Sequence, residues 1–328
     1  MRPLTFLALP SVLAGCVLPA SSASPVAPET SGEPTIAVHH EALDADYLLP
    51  GAALVHDGTA HLWVVAFDDG GPPTVRHLTA DDVGTWTAAG ATTTEMNTAG
   101  LELNEIGPIP SSVLVEADGT WTMYGGGRTA GDRAVIWRAT APGPDGPWEL
   151  HPEPVLEPST DGWDDHIVDH PSVVAVQDGY LMTYGGESRT ARNRGRIGAA
   201  VSPDGITWER VDITLPDADD EAAAGPAACG IEARTMFEPE LVDVGDGYRL
   251  HFGAMRTEPV DEMVIGELWS SDGRTWRCAA DGPVVVPDDL VPDAGLHSYL
   301  AVRGGSDALL VEVLGPGTPS SDVWLVHP

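Results

Sequence analysis

The chain has 328 residues, with 50 acidic and 16 basic side chains and a formal net charge of −34 at pH 7. This acidic excess argues against binding nucleic acid or anionic lipid, because both require a basic surface. The 37 glycines and 29 prolines would interrupt long helices, and no stretch keeps a 3.6-residue apolar period. The composition therefore favours a β-rich, exported or solvent-exposed protein.

The N-terminal residues predict export. Arg2 precedes an apolar stretch over residues 4–15, which is too short to span a bilayer but suits a signal peptide. It ends in Leu13-Ala14-Gly15-Cys16, which resembles the lipobox of bacterial lipoprotein signals. The resemblance implies cleavage after residue 15 and acylation of Cys16. An ordinary secretory signal with an incidental cysteine is the alternative.

Residues 16–33 are rich in Pro, Ser and Ala and predict a flexible tether after the signal peptide of residues 1–15. We expect an exported lipoprotein at the cell surface or in the periplasm, held on the membrane only through its lipid. In an oxidising compartment, Cys229 and Cys278 are expected to pair, and the bridge would stabilise the fold by about 3–4 kcal/mol. Two separate buried thiols are the alternative.

A repeat of about 60 residues runs along the chain. Residues 202–208 (SPDGITW) and 270–276 (SSDGRTW) share one pattern, and weaker copies end at two further tryptophans. The four tryptophans are spaced by 62, 60 and 68 residues: Trp86, Trp148, Trp208 and Trp276. Asp-Gly pairs beginning at Asp57, Asp118, Asp178 and Asp246 are spaced by 61, 60 and 68 residues. Two independent markers with one period indicate true internal repetition.

Each repeat predicts four strands, because Asp-Gly between apolar stretches is a strong hairpin signal and each unit contains two turns. In the third unit we expect strands at 172–176, 180–184, 196–201 and 208–213. Four-stranded units of this length are typical of β-propeller blades. Residues 34–328 would then form a single all-β domain, a propeller of five blades.

The fifth unit has only three predicted strands, at 296–303, 308–314 and 322–326. Residues 34–40 precede the first unit and have no partner there. We therefore expect this N-terminal segment to supply the missing outer strand and to close the ring, rather than to fray. The longer spacing reflects an insertion at 216–235, whose acidic first half we expect to be a surface loop that Cys229 attaches to the outer strand of the fourth blade.

Aligning the units on their Asp-Gly turns predicts the residues at one mouth of the central channel. His170, Glu238 and His297 then take the same position in three inner strands, with Asp169 directly before His170. Titratable residues where a buried strand would carry Val or Ile indicate a binding site. Solvation in a water-filled channel is the alternative interpretation. Two further ligand-binding candidates lie in the second and fifth units: Glu105 and Tyr299.

Three arginines follow the second strands at matching places: Arg128, Arg189 and Arg256. Their guanidinium groups are expected to converge on the same mouth. Arginine binds carboxylates, phosphates or vicinal hydroxyls well. Neutralisation of neighbouring acidic residues is an equally open role.

The inner-strand motifs Asp169-His-Pro-Ser172 and Phe237-Glu238-Pro239, with the Ser-x-Asp-Gly repeats, resemble the five-bladed glycosidases of glycoside hydrolase families 43 and 32. The resemblance implies Glu238 as general acid and Asp169 as the carboxylate that orients it. Two departures are evident: His170 separates Asp169 from its proline, and residues 48–50 (LLP) carry no Asp in register. The general base would then be Asp46, or Asp44 just before it.

Four functions follow from these residues. The first is a glycoside hydrolase acting on a saccharide through Asp46, Asp169 and Glu238. The second is a non-catalytic saccharide-binding or surface interaction propeller, and the third is a sialidase-like or phosphorylase-like protein that uses the arginines. The fourth, which we rank last, is a metal site with ligands drawn from His166, His170 and His297. No cofactor is expected, although a channel cation stays open, and we expect a monomer with a saccharide partner.

Overall fold

The computed structural model describes residues 33–328 with these gaps: 68–72, 82, 84–85, 87–91, 95, 98–102, 104–107, 130–132, 193, 217–226, 257–261, 291–294, 305–307 and 315–320. The expected signal peptide, Cys16, Glu105 and the acidic half of the insertion lie outside the described residues. Within those ranges the regular structure is β-strand, apart from two short 3-10 turns at His40–Leu43 and Pro287–Asp289. The predicted all-β class is confirmed.

The first unit is an antiparallel meander with the strand order β2-β3-β4-β5. The strands up to the end of this unit are β1 (Thr35–Val38), β2 (Tyr47–His56), β3 (Thr59–Phe67), β4 (Thr74–Ala80) and β5 (Thr92–Thr93). Asp57 and Gly58 form the predicted turn between β2 and β3, and both have positive φ, 48° and 79°. Only glycine and a few polar residues adopt this conformation readily, which explains the recurring Asp-Gly signal.

The second and third units share one nine-stranded sheet, in which β9 and β11 form a short parallel contact. The strands are β6 (Met96–Asn97), β7 (Ile109–Val115), β8 (Trp121–Arg128), β9 (Ala134–Ala141), β10 (Trp148–Leu150), β11 (Ile167–Val176), β12 (Gly179–Glu187), β13 (Arg196–Ser202) and β14 (Glu209–Val211). Strand β11 begins five residues before the predicted start at 172. A bulge after Asp169 lets the strand continue through a proline that sequence reasoning treats as its boundary.

The fourth unit is formed by β16 to β19, with β15 added at its inner edge. The fifth pairs β20, β21 and β22 with β1 in the order β1-β22-β21-β20. The strands are β15 (Ala227–Ala228), β16 (Ile231–Asp243), β17 (Tyr248–Arg256), β18 (Met263–Ser270), β19 (Arg277–Cys278), β20 (Gly295–Ala301), β21 (Leu309–Leu314) and β22 (Ser321–Val326). The N-terminal segment is thus the outer strand of the fifth sheet, and Thr35 lies opposite Leu325.

Buried apolar side chains form five clusters, and each cluster combines residues from two neighbouring units. Trp63 of the first unit packs with Trp137 of the second, for example, and both are fully buried. The cluster that includes Leu48 and Leu310 joins the fifth unit to the first. Packing between flat sheets therefore supplies the core, since no helix covers any described sheet face.

The predicted disulfide is present. Cys229 is bonded to Cys278, with their Cα atoms 5.3 Å apart and a sequence separation of 49. Cys278 ends β19, so the bridge attaches the end of the insertion to the outer strand of the fourth unit, as expected. Such a bond is typical of exported proteins. None of the described residues forms a helix long and apolar enough to cross a membrane.

Candidate active site

The five inner strands, β2, β7, β11, β16 and β20, each carry a register shift at a corresponding position, and β16 has a second one between Ala233 and Thr235. The shifts lie directly after Pro50, Pro110, Asp169, Phe237 and Leu296. A bulge bends its strand and redirects a side chain, and bulges are common beside active sites. The residues at the bulges of the third, fourth and fifth units are His170, Glu238 and His297, the three residues that sequence alignment placed together.

His170 and Glu238 adopt left-handed backbone conformations, with φ of 48° and 47°. This conformation costs an ordinary side chain about 1–2 kcal/mol. Strain of this kind is common at functional sites, so the two titratable residues are candidates for one. Glycine would adopt this conformation without strain, yet neither residue is glycine. Both positions therefore carry a titratable side chain at a conformational cost.

The two side chains meet across the gap between the third and fourth units. Nε2 of His170 lies 3.3 Å from Oε1 of Glu238, and Nδ1 of His170 lies 3.8 Å from Oδ2 of Asp169. Oδ1 of Asp169 accepts a hydrogen bond of 2.8 Å from the backbone N–H of His170. His170 therefore stands between the two carboxylates that the sequence assigned to catalysis. We call Asp169, His170, Glu238, His297 and Glu312 the carboxylate–histidine cluster.

Glu238 is the most deeply buried catalytic candidate, with 9% of its side chain exposed. Its Oε2 is buried and has no hydrogen-bond partner among the described residues. Burial raises the pKa of this carboxyl, while the nearby His170 and His297 act in the opposite direction. A buried carboxyl with one free oxygen is suited to hold a proton and to donate it.

For the pKa of His170, the nearby charges outweigh the effect of burial. Burial disfavours its charged form, but the carboxylates of Asp169, Glu238 and Glu240 outweigh burial and raise its pKa. The imidazole is therefore stabilised as a cation between acidic groups. It can hold Glu238 in place and compensate negative charge when a ligand displaces water.

His297 forms a second pair that extends the cluster into the fifth unit. Its Nδ1 lies 2.9 Å from Oε2 of Glu312, and this hydrogen bond raises the pKa of His297. The imidazole is 59% exposed, whereas the Glu312 side chain is fully buried. The exposed ring edge can therefore contact a ligand. Sequence reasoning missed Glu312, although a lone acid within the apolar stretch 309–314 (LLVEVL) is a recognisable signal.

Tyr299 lies behind Glu238. It is buried, and its hydroxyl donates a short hydrogen bond to the backbone carbonyl of Glu238. Its described contact is thus with the protein, at the residue whose backbone is strained. Its hydroxyl thus supports the backbone of Glu238, and contact of Tyr299 with a ligand stays a prediction.

The first unit contributes Tyr47 and Asp46 at the start of β2. Tyr47 stacks on Phe67, and burial, together with the charge of Glu312, raises the pKa of Tyr47. Asp46 is exposed, its backbone N–H donates to the Phe67 carbonyl, and no side-chain contact to Asp169 or Glu238 occurs among the described residues.

The glycines of β8 make room for Asp169. A Cβ atom added at Gly126 would overlap Oδ1 of Asp169. Because side chains two residues apart lie on one strand face, Arg128 shares the face of β8 that Asp169 covers. The run at 124–128 (YGGGR), identified from sequence, thus accommodates a catalytic candidate.

The other two predicted arginines each have a contact with an acid of their own unit, Arg256 through its guanidinium and Arg189 through its backbone. Arg256 forms a 2.9 Å ion pair with Glu262. The backbone N–H of Arg189 donates to Asp165, and this bond, with the charge of Arg189, lowers the pKa of Asp165. These contacts favour the neutralising role that the sequence left open.

The described residues contain no group of three or more His, Cys, Asp or Glu arranged to hold a metal ion. His166 is buried, and its Nε2 lies 3.1 Å from a guanidinium nitrogen of Arg192. His170 and His297 are each paired with carboxylates instead. The weak metal candidates are thus used in separate contacts.

No protein-family model matches the sequence, and no curated protein matches it. Solved structures do. A thermostable family-43 glycoside hydrolase is 14% identical with a TM-score of 0.63, covering 86% of this chain and 89% of its own. An endo-arabinase from Bacteroides thetaiotaomicron is 13% identical with a TM-score of 0.58, covering 90% and 97%.

A third similar structure is described as belonging to the GH130 family of mannoside phosphorylases, which contains glycoside hydrolases that target β-1,2 mannosidic linkages in Candida mannan. It is 15% identical with a TM-score of 0.58, covering 95% of this chain and 96% of its own. Identities this low show the fold alone. The chain therefore has the all-β propeller fold of these glycosidase-type enzymes, and the predicted propeller class is confirmed at that level.

Proposed function

We propose that the domain is a propeller of five blades whose ring is closed by β1. Three observations support this proposal. Each unit supplies four strands, β1 completes the fifth sheet beside β22, and a buried apolar cluster joins the fifth unit to the first. Deleting residues 34–40 is expected to leave an open edge on β22 and to abolish cooperative unfolding in guanidinium, whereas a domain that does not depend on closure would unfold normally.

We propose that the protein hydrolyses a glycosidic bond, with Glu238 as the general acid. The carrying observation is the buried, unpartnered Oε2 of Glu238 on a strained bulge beside His170. The fold of the family-43 enzyme and the endo-arabinase supports the substrate class. Asp169, held against Gly126, orients the acid through His170.

In the proposed reaction, the protonated carboxyl of Glu238 donates its proton to the leaving oxygen as the glycosidic bond breaks. Ionised Asp46 accepts a proton from the water that attacks the anomeric carbon. Carboxyls about 6.5–9.5 Å apart would invert the anomeric configuration, and carboxyls about 5–5.5 Å apart would retain it. We assign His297 and Arg128 the role of hydrogen-bonding the sugar.

A panel of aryl glycosides tests this function. The wild-type protein is expected to release the aryl alcohol from at least one member, and Glu238→Gln to reduce kcat by about 100-fold or more. Glu209→Gln, a change of the same kind on the exposed strand β14, is the matched control and should keep full activity. Equal activity of Glu238→Gln and the control would end the proposal.

A saccharide-binding propeller without catalysis is the second candidate. Its specific support is the first unit, where buried Leu48 and Pro50 stand in register and Asp46 is exposed without a contact to Glu238. Calorimetric titration with the same panel of aryl glycosides separates the two functions. Binding without turnover, unchanged by Asp46→Asn, would favour the binding protein.

A phosphorylase-like or sialidase-like activity rests on the three arginines. The GH130 similarity supports a phosphorylase, but the ion pair of Arg256 with Glu262 takes up part of the expected anion site. Turnover that requires added inorganic phosphate and is lost in Arg128→Gln would identify this activity. Phosphate-independent turnover would exclude it.

We also propose that the mature protein is a lipid-anchored monomer outside the cytoplasm. The Cys229–Cys278 bond supports export. Metabolic labelling with a fatty-acid analogue should mark the wild type and not Cys16→Ser. Equal labelling of both would exclude Cys16 as the acylated residue.

A further inference from the structure

Arg303 follows β20 of the fifth unit and was not singled out by any sequence pattern. Its backbone joins the inner strand of the first unit: the Val55 N–H donates to the Arg303 carbonyl at 2.8 Å, and the Arg303 N–H donates to the Ala53 carbonyl at 3.4 Å. The residue thus belongs to the fifth unit and is fixed to the first.

The buried guanidinium of Arg303 reaches the other three inner strands. One terminal nitrogen donates a short bond to Ser112 Oγ and a 2.9 Å bond to the Val173 carbonyl. The other donates to Ser172 Oγ at 2.5 Å and lies 3.5 Å from Oε2 of Glu240. One side chain therefore connects the second, third and fourth units, and its backbone connects the first and fifth.

The acceptors of Arg303 occupy one structural level. Ser112, Ser172 and Glu240 are the residues at which pairing resumes directly after the bulges of β7, β11 and β16. Ser172 lies two residues after His170, and Glu240 lies two residues after Glu238. The guanidinium thus lies next to the carboxylate–histidine cluster, two residues further along the inner strands β11 and β16.

The serines also link neighbouring strands to one another. Ser112 Oγ accepts a 3.1 Å bond from the Val173 N–H, and Ser172 Oγ accepts a 2.6 Å bond from the Leu241 N–H. Arg303 donates to both hydroxyl oxygens, so it fixes the spacing of β7, β11 and β16 where their backbones are strained. Five donors in a rigid plane make arginine suited to this task, and a lysine ammonium cannot span the same acceptors.

We infer that Arg303 is a positioning residue that holds the bulges of β11 and β16 together so that His170 and Glu238 remain in contact, an inference that rests on the proposed role of Glu238. A simpler role would be to neutralise the buried Glu240. Neutralisation needs only a positive charge, whereas positioning needs the planar fork. Arg303→Lys separates the two roles because it keeps the charge and loses the fork.

Two readouts test the inference on the full-length protein. The first is the pH titration of the His170 imidazole by ¹⁵N NMR, with the resonance assigned from His170→Asn. This readout requires no substrate, so it stays decisive even if the protein hydrolyses nothing. The second is the separation of kcat from KM on the best aryl glycoside of the panel.

In Arg303→Lys we expect kcat to fall at least tenfold with KM changed less than threefold, and the His170 titration to move to lower pH as Glu238 moves away. Ser172→Ala, a small change that is safe for folding, should shift both readouts in the same direction by a smaller amount. Thr94→Val is the matched control, because the buried Thr94 hydroxyl has no partner among the described residues and lies outside the inner strands.

A His170 titration that is the same in Arg303→Lys, Ser172→Ala and wild type would overturn the inference. Where Arg303→Lys does not fold, Ser172→Ala against Thr94→Val decides by the same readout. Full activity of Glu238→Gln would contradict the proposed function. The NMR titration would still show whether Arg303 keeps His170 and Glu238 in contact. Loss of activity in Glu238→Gln with an unaffected Arg303→Lys would remove only the role of Arg303.

Discussion

Nε2 of His170 lies 3.3 Å from Oε1 of Glu238, although the two residues belong to different units and are 68 positions apart in sequence. Both residues occupy bulges with positive φ. The contact brings a stabilised cation against a buried carboxyl whose Oε2 has no hydrogen-bond partner within the part of the chain that the structure describes. It is the feature that distinguishes this site from a merely polar channel.

Replacing His170 by Asn is expected to raise the pKa of Glu238, because the positive charge of His170 acts to lower it. Asn tolerates the left-handed backbone, so the fold should persist. The basic limb of the kcat–pH profile, which follows ionisation of the acid, should move to higher pH. His327→Asn, which changes a histidine after β22, is the control, and an unmoved basic limb in His170→Asn would contradict the assigned interaction.

Gly126→Ala is expected to displace Asp169, because the added Cβ overlaps its Oδ1. We expect kcat to fall by about tenfold or more, since small misplacements of catalytic groups are costly. Gly143→Ala is the matched control, as a Cβ there meets nothing within 4 Å. Kinetics on the panel substrate, with near-ultraviolet circular dichroism to verify folding, make the comparison. Equal kcat values for the two variants would show that catalysis does not depend on the position of Asp169 against Gly126.

The sequence predicted the features that repeat. Tryptophans and Asp-Gly turns recur because every unit needs the same hairpins, so unit boundaries and the equivalence of His170 and Glu238 could be read from spacing. Arg303 could not, because it acts through contacts between units and occurs once, whereas the lone acid Glu312 in an apolar strand was a signal that the repeat alignment did not use. We expected the arginines to converge, and the repeat alignment gave no sign that Arg256 pairs with Glu262, six residues away.

His61 of the first unit is expected to make the folded domain less stable as the pH falls. Burial and the charges of His77 and His56 lower the pKa of His61 to about 4, with Asp145 acting in the opposite direction. The folded state thus favours neutral His61, so its contribution is complete above about pH 6.5 and is lost as the pH falls toward 4. The loss is about 2–3 kcal/mol at most.

Guanidinium unfolding at pH 7.5 and pH 4.5 measures this contribution. The free energy of unfolding should decrease less in His61→Gln than in wild type, because glutamine does not titrate and can still donate to His77. His151→Gln, on an exposed segment, controls for general effects of losing a histidine. Identical decreases in wild type and His61→Gln would contradict the lowered pKa.

Removal of the disulfide should destabilise the domain without changing the site. The double variant Cys229→Ala/Cys278→Ala is expected to lose about 3–4 kcal/mol in free energy of unfolding, because the unfolded chain without the bridge has more conformational entropy. Its kcat should match that of wild type at a temperature where both are folded. Guanidinium curves with and without reductant give the measurement. Wild-type stability that does not respond to full reduction would contradict the expectation.

The central claim is that Glu238 donates a proton to the leaving oxygen. The most direct measurement compares wild type and Glu238→Gln on two aryl glycosides of the same sugar, one with a dinitrophenyl and one with an unsubstituted phenyl leaving group. A dinitrophenolate departs without a proton, so the account predicts a small loss of kcat there. On the phenyl glycoside it predicts a loss of about 100-fold to 10,000-fold. Equal losses on both substrates would contradict the assignment of Glu238 as the general acid.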